Sequence, residues 1–127
     1  MRTRRRRRSG GASSRDRRIR DTSDRLDAVF GALSDATRRG ILRRLARGEC
    51  TVTTLAEPFA VSPPAISKHL RVLKASGLIK RRKVGRVHYC RLRLDALRHA
   101  GDWIQQQTVF WEQQFDALAN YLDKEQR

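Results

Sequence analysis

Apolar residues recur at helical spacing in four successive stretches before any strand-like alternation begins. Leu26, Val29, Phe30 and Leu33 fall at i, i+3, i+4 and i+7, a single stripe of a first helix. Ser34 or Asp35 offers a cap oxygen for a second helix. There Ile41, Leu42 and Leu45 face inward, Arg38, Arg39, Arg43 and Arg44 cover much of the rest, and Gly48 stops the helix after about Arg47. Thr51 can cap a third helix with Leu55 and Phe59 inward, and Pro58 limits it to about two turns. Ser62 then supplies a cap and Pro63 takes the first helical position, where a missing N–H costs nothing. Ile66, Leu70 and Leu73 form the inward stripe of this fourth helix. Pro64, Lys68, Arg71 and Ala75 fall on the opposite face, Ser67 on the flank, and Gly77 closes the helix.

The pattern then changes period. Leu78 to Lys83 and Val87 to Leu92 read as two short strands joined through Val84, Gly85 and Arg86, a basic hairpin. From Leu94 to Asp123 there is no proline and only Gly101, and Leu97, Trp103, Ile104, Phe110, Trp111, Phe115, Leu118, Tyr121 and Leu122 are spaced for a long helix. Its apolar face is hard to cover within one small subunit.

Charge sharpens this picture. The chain has 127 residues and a formal charge of +16, distributed unevenly. Residues 1–20 carry ten Arg and one Asp, residues 21–61 balance, residues 62–93 carry ten basic and no acidic residues, and residues 94–127 are net acidic. The first block is too poor in apolar residues to order itself, so a basic tail is expected over 1–22, a folded domain over 23–123 and a short tail over 124–127. The Arg4 to Arg8 run is compatible with a solvated tail, with general phosphate affinity or with an extended start. No apolar stretch is long enough for a membrane span and the Arg-rich start lacks the apolar segment of a secretion signal, so a cytoplasmic protein without membrane association is expected. Cys50 and Cys90 are too few and too far apart in sequence to suggest a disulfide framework or zinc site, and reduced thiols are expected. His88 is placed on the strand face opposite Cys90, so the two are not expected to act as a pair.

Two short helices around a tight turn, the second basic on its outer face, followed by a basic hairpin, are the parts of a winged helix-turn-helix. The acid-free segment coincides with both elements that would touch DNA. The fold class is therefore mainly α, with four helices, the hairpin and a last helix behind a disordered Arg-rich tail. Paired catalytic carboxylates, a Gly-rich phosphate loop and a nucleophile with its base are not discernible, which argues against an enzyme.

The segments Leu33-Ser34-Asp35-Ala36-Thr37-Arg38-Arg39-Gly40-Ile41-Leu42, Leu55-Ala56-Glu57-Pro58-Phe59 and Val61-Ser62-Pro63-Pro64-Ala65-Ile66-Ser67-Lys68-His69-Leu70-Arg71-Val72-Leu73, then Ala75-Ser76-Gly77-Leu78-Ile79, resemble the ArsR family of bacterial winged-helix repressors. The likeness spans about residues 24 to 122; the hairpin with Gly85 and Tyr89 supports it. It implies a homodimer that represses transcription by occupying a pseudo-palindromic operator in double-stranded DNA. It places Ser62, Pro63, Pro64, Ala65, Ser67, Lys68 and Arg71 toward the major groove. Ser67 and Lys68 are the candidates for base-edge or nearby phosphate contacts. Arg82, Lys83 and Arg86 of the wing are assigned to phosphates or a minor groove, and His69 to either a DNA contact or a structural hydrogen bond. Leu26, Val29, Phe30, Trp103, Phe110, Trp111, Phe115, Leu118, Tyr121 and Leu122 are the expected dimer interface.

Many members of the resembled family release DNA on binding metal through a Cys-x-Cys pair at the third helix or Asp/His ligands on the last. Here the third-helix segment is Thr51-Val52-Thr53-Thr54-Leu55-Ala56-Glu57 and the last helix has His99 alone, so neither metal nor another cofactor is expected. Metal-independent relatives retain the Asp-Ala-Thr-Arg-Arg segment and a tryptophan-bearing last helix, both present here. The alternatives are a repressor with a non-standard redox or metal site, and a less specific nucleic-acid binder led by the Arg tail.

Overall fold

The computed structural model describes residues 13–126. Helix α1 spans Ser14–Leu33 and is fixed at its start by a capping box: Ser13 Oγ accepts from the Asp16 N–H at 3.1 Å, and the Asp16 carboxylate accepts from the Ser13 N–H at 3.4 Å. The tail boundary expected at residue 22 therefore falls inside a helix. Residues 14–22 are helical without an apolar stripe, because capping and propagation from the packed end suffice. The Arg4 to Arg8 run lies outside the described residues.

Helix α2 covers Ala36–Leu45 and ends slightly short of Arg47. Of the two candidate caps, Asp35 performs the task, its Oδ2 accepting from the Arg38 N–H at 3.0 Å. Ser34 Oγ turns back and donates to the Gly31 carbonyl at 2.6 Å. Strand β1, Cys50–Thr51, was not expected: two residues are too few to show alternation. Thr51 also caps α3, Val52–Ala56, by accepting from the Thr54 N–H. Helix α4 runs Pro63–Ala75, followed by strands β2, Ile79–Val84, and β3, Val87–Leu92, and by helix α5, Asp95–Glu125. Helix α5 thus enters the segment expected as a C-terminal tail.

The sheet is antiparallel in the order β1-β3-β2, with Val84 opposite Val87 and Gly85 at φ +64° in the two-residue turn. Ile41, Leu55, Leu70, Leu73, Leu78 and Ile79 are fully buried where α2, α3, α4 and the sheet root meet. Helix α5 joins this core through Ala100 and then leaves it; every residue from 108 to 126 is exposed. One expectation for the interface is corrected here. Val29 is only 2% exposed and belongs to the protomer's own core, whereas Leu26 and Phe30 are half-buried at its margin.

Candidate nucleic-acid interface

Helix α4 presents the face anticipated from its spacing. Ser62, Pro63, Pro64, Ser67, Lys68 and Arg71 are exposed, Ala65 is half-buried, and Ile66, Leu70 and Leu73 face the core. The first turn has no free amide to offer a phosphate. Pro63 and Pro64 lack N–H groups, Ser62 Oγ accepts from the Ala65 N–H at 3.3 Å, and the Ile66 N–H donates to the Ser62 carbonyl. Contacts from this end therefore fall to side chains, with Ser67 and Lys68 the polar groups nearest the small, apolar start.

His69 points away from that face. Its side chain is 16% exposed, and Nδ1 lies 3.2 Å from Arg38 Nη1 and 3.8 Å from Asp35 Oδ2. Of the two roles open to His69, the structure shows the internal one. Arg38 extends the same junction: Nε donates to the Ala32 carbonyl at 2.7 Å and Nη2 to the Gly31 carbonyl at 3.1 Å. Arg39 Nη1 donates to the Leu33 carbonyl at 2.8 Å. These are the final carbonyls of α1, where the helical ladder ends; that of Gly31 also accepts from the Ser34 N–H and hydroxyl. Both arginines, read from sequence as surface cover, are thus helix-closing groups. The Asp35 carboxyl is held below the usual carboxylate range, chiefly by the Arg38 N–H and further by the charges of His69 and Arg38, against opposing desolvation.

On the wing, Lys83 and Arg86 are exposed, but Arg82 is engaged. Its Nε and Nη2 donate to the two oxygens of Glu49 at 2.9 and 2.8 Å, and its guanidinium sits 4.7 Å from the centre of the Tyr89 ring. The fork lowers the Glu49 pKa and raises that of Arg82. A side chain expected at phosphates here braces the wing against Glu49, beside β1. Its partner lies 33 residues away in sequence, beyond the reach of local patterns.

The cysteines also need revision. Cys50 and Cys90 are directly opposite in the β1–β3 ladder, and both are buried. Burial pushes the Cys90 thiol up. His88 and Cys90 are two residues apart in one strand and so share a face, contrary to expectation, although His88 is exposed at the outer end.

Helix α5 leaves a continuous apolar surface. Ile104, Thr108, Trp111, Phe115, Leu118 and Leu122 recur at alternating four- and three-residue intervals, a seam suited to another helix. Trp111 is 55% exposed and Phe115 64%. Phe110 and Tyr121 widen the surface, and Trp103 meets Phe30 of α1 edge-on at 5.8 Å between ring centres. No helix among the described residues is long and apolar enough to cross a membrane.

A buried helix-turn-helix, an exposed basic second helix and a basic antiparallel wing define a winged helix-turn-helix DNA-binding protein. A helix-turn-helix domain family matches residues 33–82. The transcriptional repressor SdpR of Bacillus subtilis is 38% identical over 79 residues, spanning 62% of this chain and 88% of the relative. The crystal structure of an ArsR family transcriptional regulator, RHA00566, superposes with a TM-score of 0.68 at 39% identity, covering 71% of this chain and 93% of that one. A solution structure from Mycobacterium bovis, the homodimeric winged helix-turn-helix DNA-binding domain Mb0332, gives a TM-score of 0.54 at 26% identity, covering 84% and 94%. This chain belongs to the ArsR family of winged helix-turn-helix transcriptional repressors.

Proposed function

We propose that the protein is a homodimeric repressor of the bacterial cytoplasm that occupies a pseudo-palindromic operator, with one α4 helix in each of two successive major grooves. The observation that carries this reading is the exposed, acid-free face of α4 and the wing, set on a protomer whose last helix leaves its aromatic seam uncovered. Burying that seam against a second copy, at about 25 cal/mol per Å² of apolar area, stabilises both subunits and sets the separation of the two α4 helices. Ser67 and Lys68 read base edges, Ser62, Pro63, Pro64 and Ala65 allow close approach, and Arg71, Lys83 and Arg86 meet phosphates.

Release from DNA does not depend on metal in this reading. The third helix offers hydroxyls of Thr53 and Thr54 where thiolates would be needed, and α5 carries His99 as its one histidine. The protein performs no catalysis. The test is footprinting of genomic fragments that the protein selects: two protected half-sites separated by about one helical turn of roughly 10 base pairs are expected. Protection without a common sequence would overturn the reading. Zinc, cadmium and arsenite titrations should leave the footprint unchanged.

A further inference from the structure

The outer face of the wing root holds charge that the helix-turn-helix reading does not use. Lys80 on β2 is directly opposite Arg91 on β3. By alternation these two share their sheet face with Arg82 and Tyr89, while Ile79, Cys90 and Leu92 turn to the core side. Directly opposed side chains have Cβ atoms about 4.5–5.5 Å apart, and like charges there repel. The acid at this face, Glu49, accepts from Arg82 with both oxygens and also lies within electrostatic reach of Arg91. Glu49, Lys80, Arg81, Arg82 and Arg91 line an open cleft of about 540 Å³.

We propose that this cleft binds a phosphate group, gripped between Lys80 and Arg91, with the Glu49-braced Arg82 as its fixed wall. A phosphate carries enough charge and enough acceptor oxygens to bridge both cations. It converts a cross-strand repulsion into charge-assisted hydrogen bonds. The Glu49 fork leaves Arg82 its cation–π seat on Tyr89 and keeps it from collapsing into the cleft. The phosphate comes either from DNA backbone flanking the segment read by α4 or from a free phosphorylated solute. The first source rests on the DNA-binding reading above, and the second does not.

The full-length protein and two variants, Lys80→Glu and the double replacement Lys80→Gln with Arg91→Gln, are titrated with pyrophosphate by calorimetry. They are also titrated with operator duplex across a salt series. Lys80→Glu places opposite charges across the strands, so it should raise the melting temperature while weakening pyrophosphate binding about tenfold. Opposite movement of the two readouts separates loss of the site from misfolding. For the double variant, the slope of log K against log salt should fall by about 1 if a DNA phosphate occupies the cleft. Weakened pyrophosphate binding with an unchanged DNA slope assigns the cleft to a free phosphate. Wild-type pyrophosphate affinity and an unchanged slope in both variants would overturn the proposal. A protein that binds no DNA sinks the repressor reading alone, because the pyrophosphate titration still decides the cleft.

Discussion

Arg38 Nη1 lies 3.2 Å from His69 Nδ1, joining the first turn of α2 to the middle of α4. A guanidinium only donates, so Nδ1 is the acceptor of this contact. The same guanidinium holds the carbonyls of Gly31 and Ala32, so one side chain registers α1, α2 and α4. Its planar fork is the property that matters. Arg38→Lys keeps the charge but cannot reach these acceptors together, and a loss of about 1–3 kcal/mol in urea unfolding is expected. An unchanged unfolding midpoint would show that the junction contributes nothing.

The acid limb of stability should be steepened by Asp35. Its pKa is lowered on folding by the Arg38 N–H and the neighbouring charges. Its contribution is therefore complete above the ordinary carboxylate range and is lost as pH falls through the lowered folded value. Asp35→Asn preserves a cap oxygen but not the charge, so lower stability is expected at neutral pH with a flatter decline toward acid, the two proteins converging there. Melting temperatures of the two proteins across pH check this; parallel curves would contradict it. Glu49, lowered by the Arg82 fork, acts in the same window and with the same sign.

Gly40 is required by a neighbour rather than by its backbone. A Cβ built there would come 2.8 Å from Phe59 Cε1, inside any normal contact. Alanine improves helix propensity by about 1 kcal/mol, yet overpacking costs about 1–3 kcal/mol. Gly40→Ala should therefore lower stability, and adding Phe59→Leu should recover part of the loss. Thermal unfolding of the single and double variants measures both effects.

Trp111→Asp tests the α5 seam. A carboxylate at the centre of an apolar helix pair is left unpaired, and dissociation to protomers is expected in sedimentation velocity. The core residues lie elsewhere, so the circular dichroism spectrum should remain helical. A variant with unchanged mass would remove α5 from the interface.

Periodicity made most of the fold legible. Ile66, Leu70 and Leu73 marked the buried side of α4, and Ser62 and Thr51 cap the helices that their positions predicted. What escaped depends on distant partners or very short segments. Strand β1 is two residues long, and it brings Cys50 opposite Cys90 through pairing that no local pattern encodes. Arg38 and Arg39 looked like solvent cover because arginine on a helix usually is, and Arg82 looked like a phosphate contact because it stands in a basic hairpin. Their acceptors, the α1 carbonyls and Glu49, become visible only when the chain folds back. The early start of α1 was hidden for another reason: Ser13 and Asp16 form a capping box inside an Arg-rich segment with no apolar stripe to announce it.

The most direct test of two linked α4 helices on one DNA is the dependence of affinity on half-site spacing. With the operator found by footprinting, inserting about 5 base pairs between the half-sites turns one of them to the opposite side of the duplex, whereas inserting about 10 restores its orientation. Affinity should fall sharply at the half-turn insertion for the native protein, while Trp111→Asp should bind every spacing with the same weak affinity. Equal affinity of the native protein for all spacings would contradict the homodimeric arrangement.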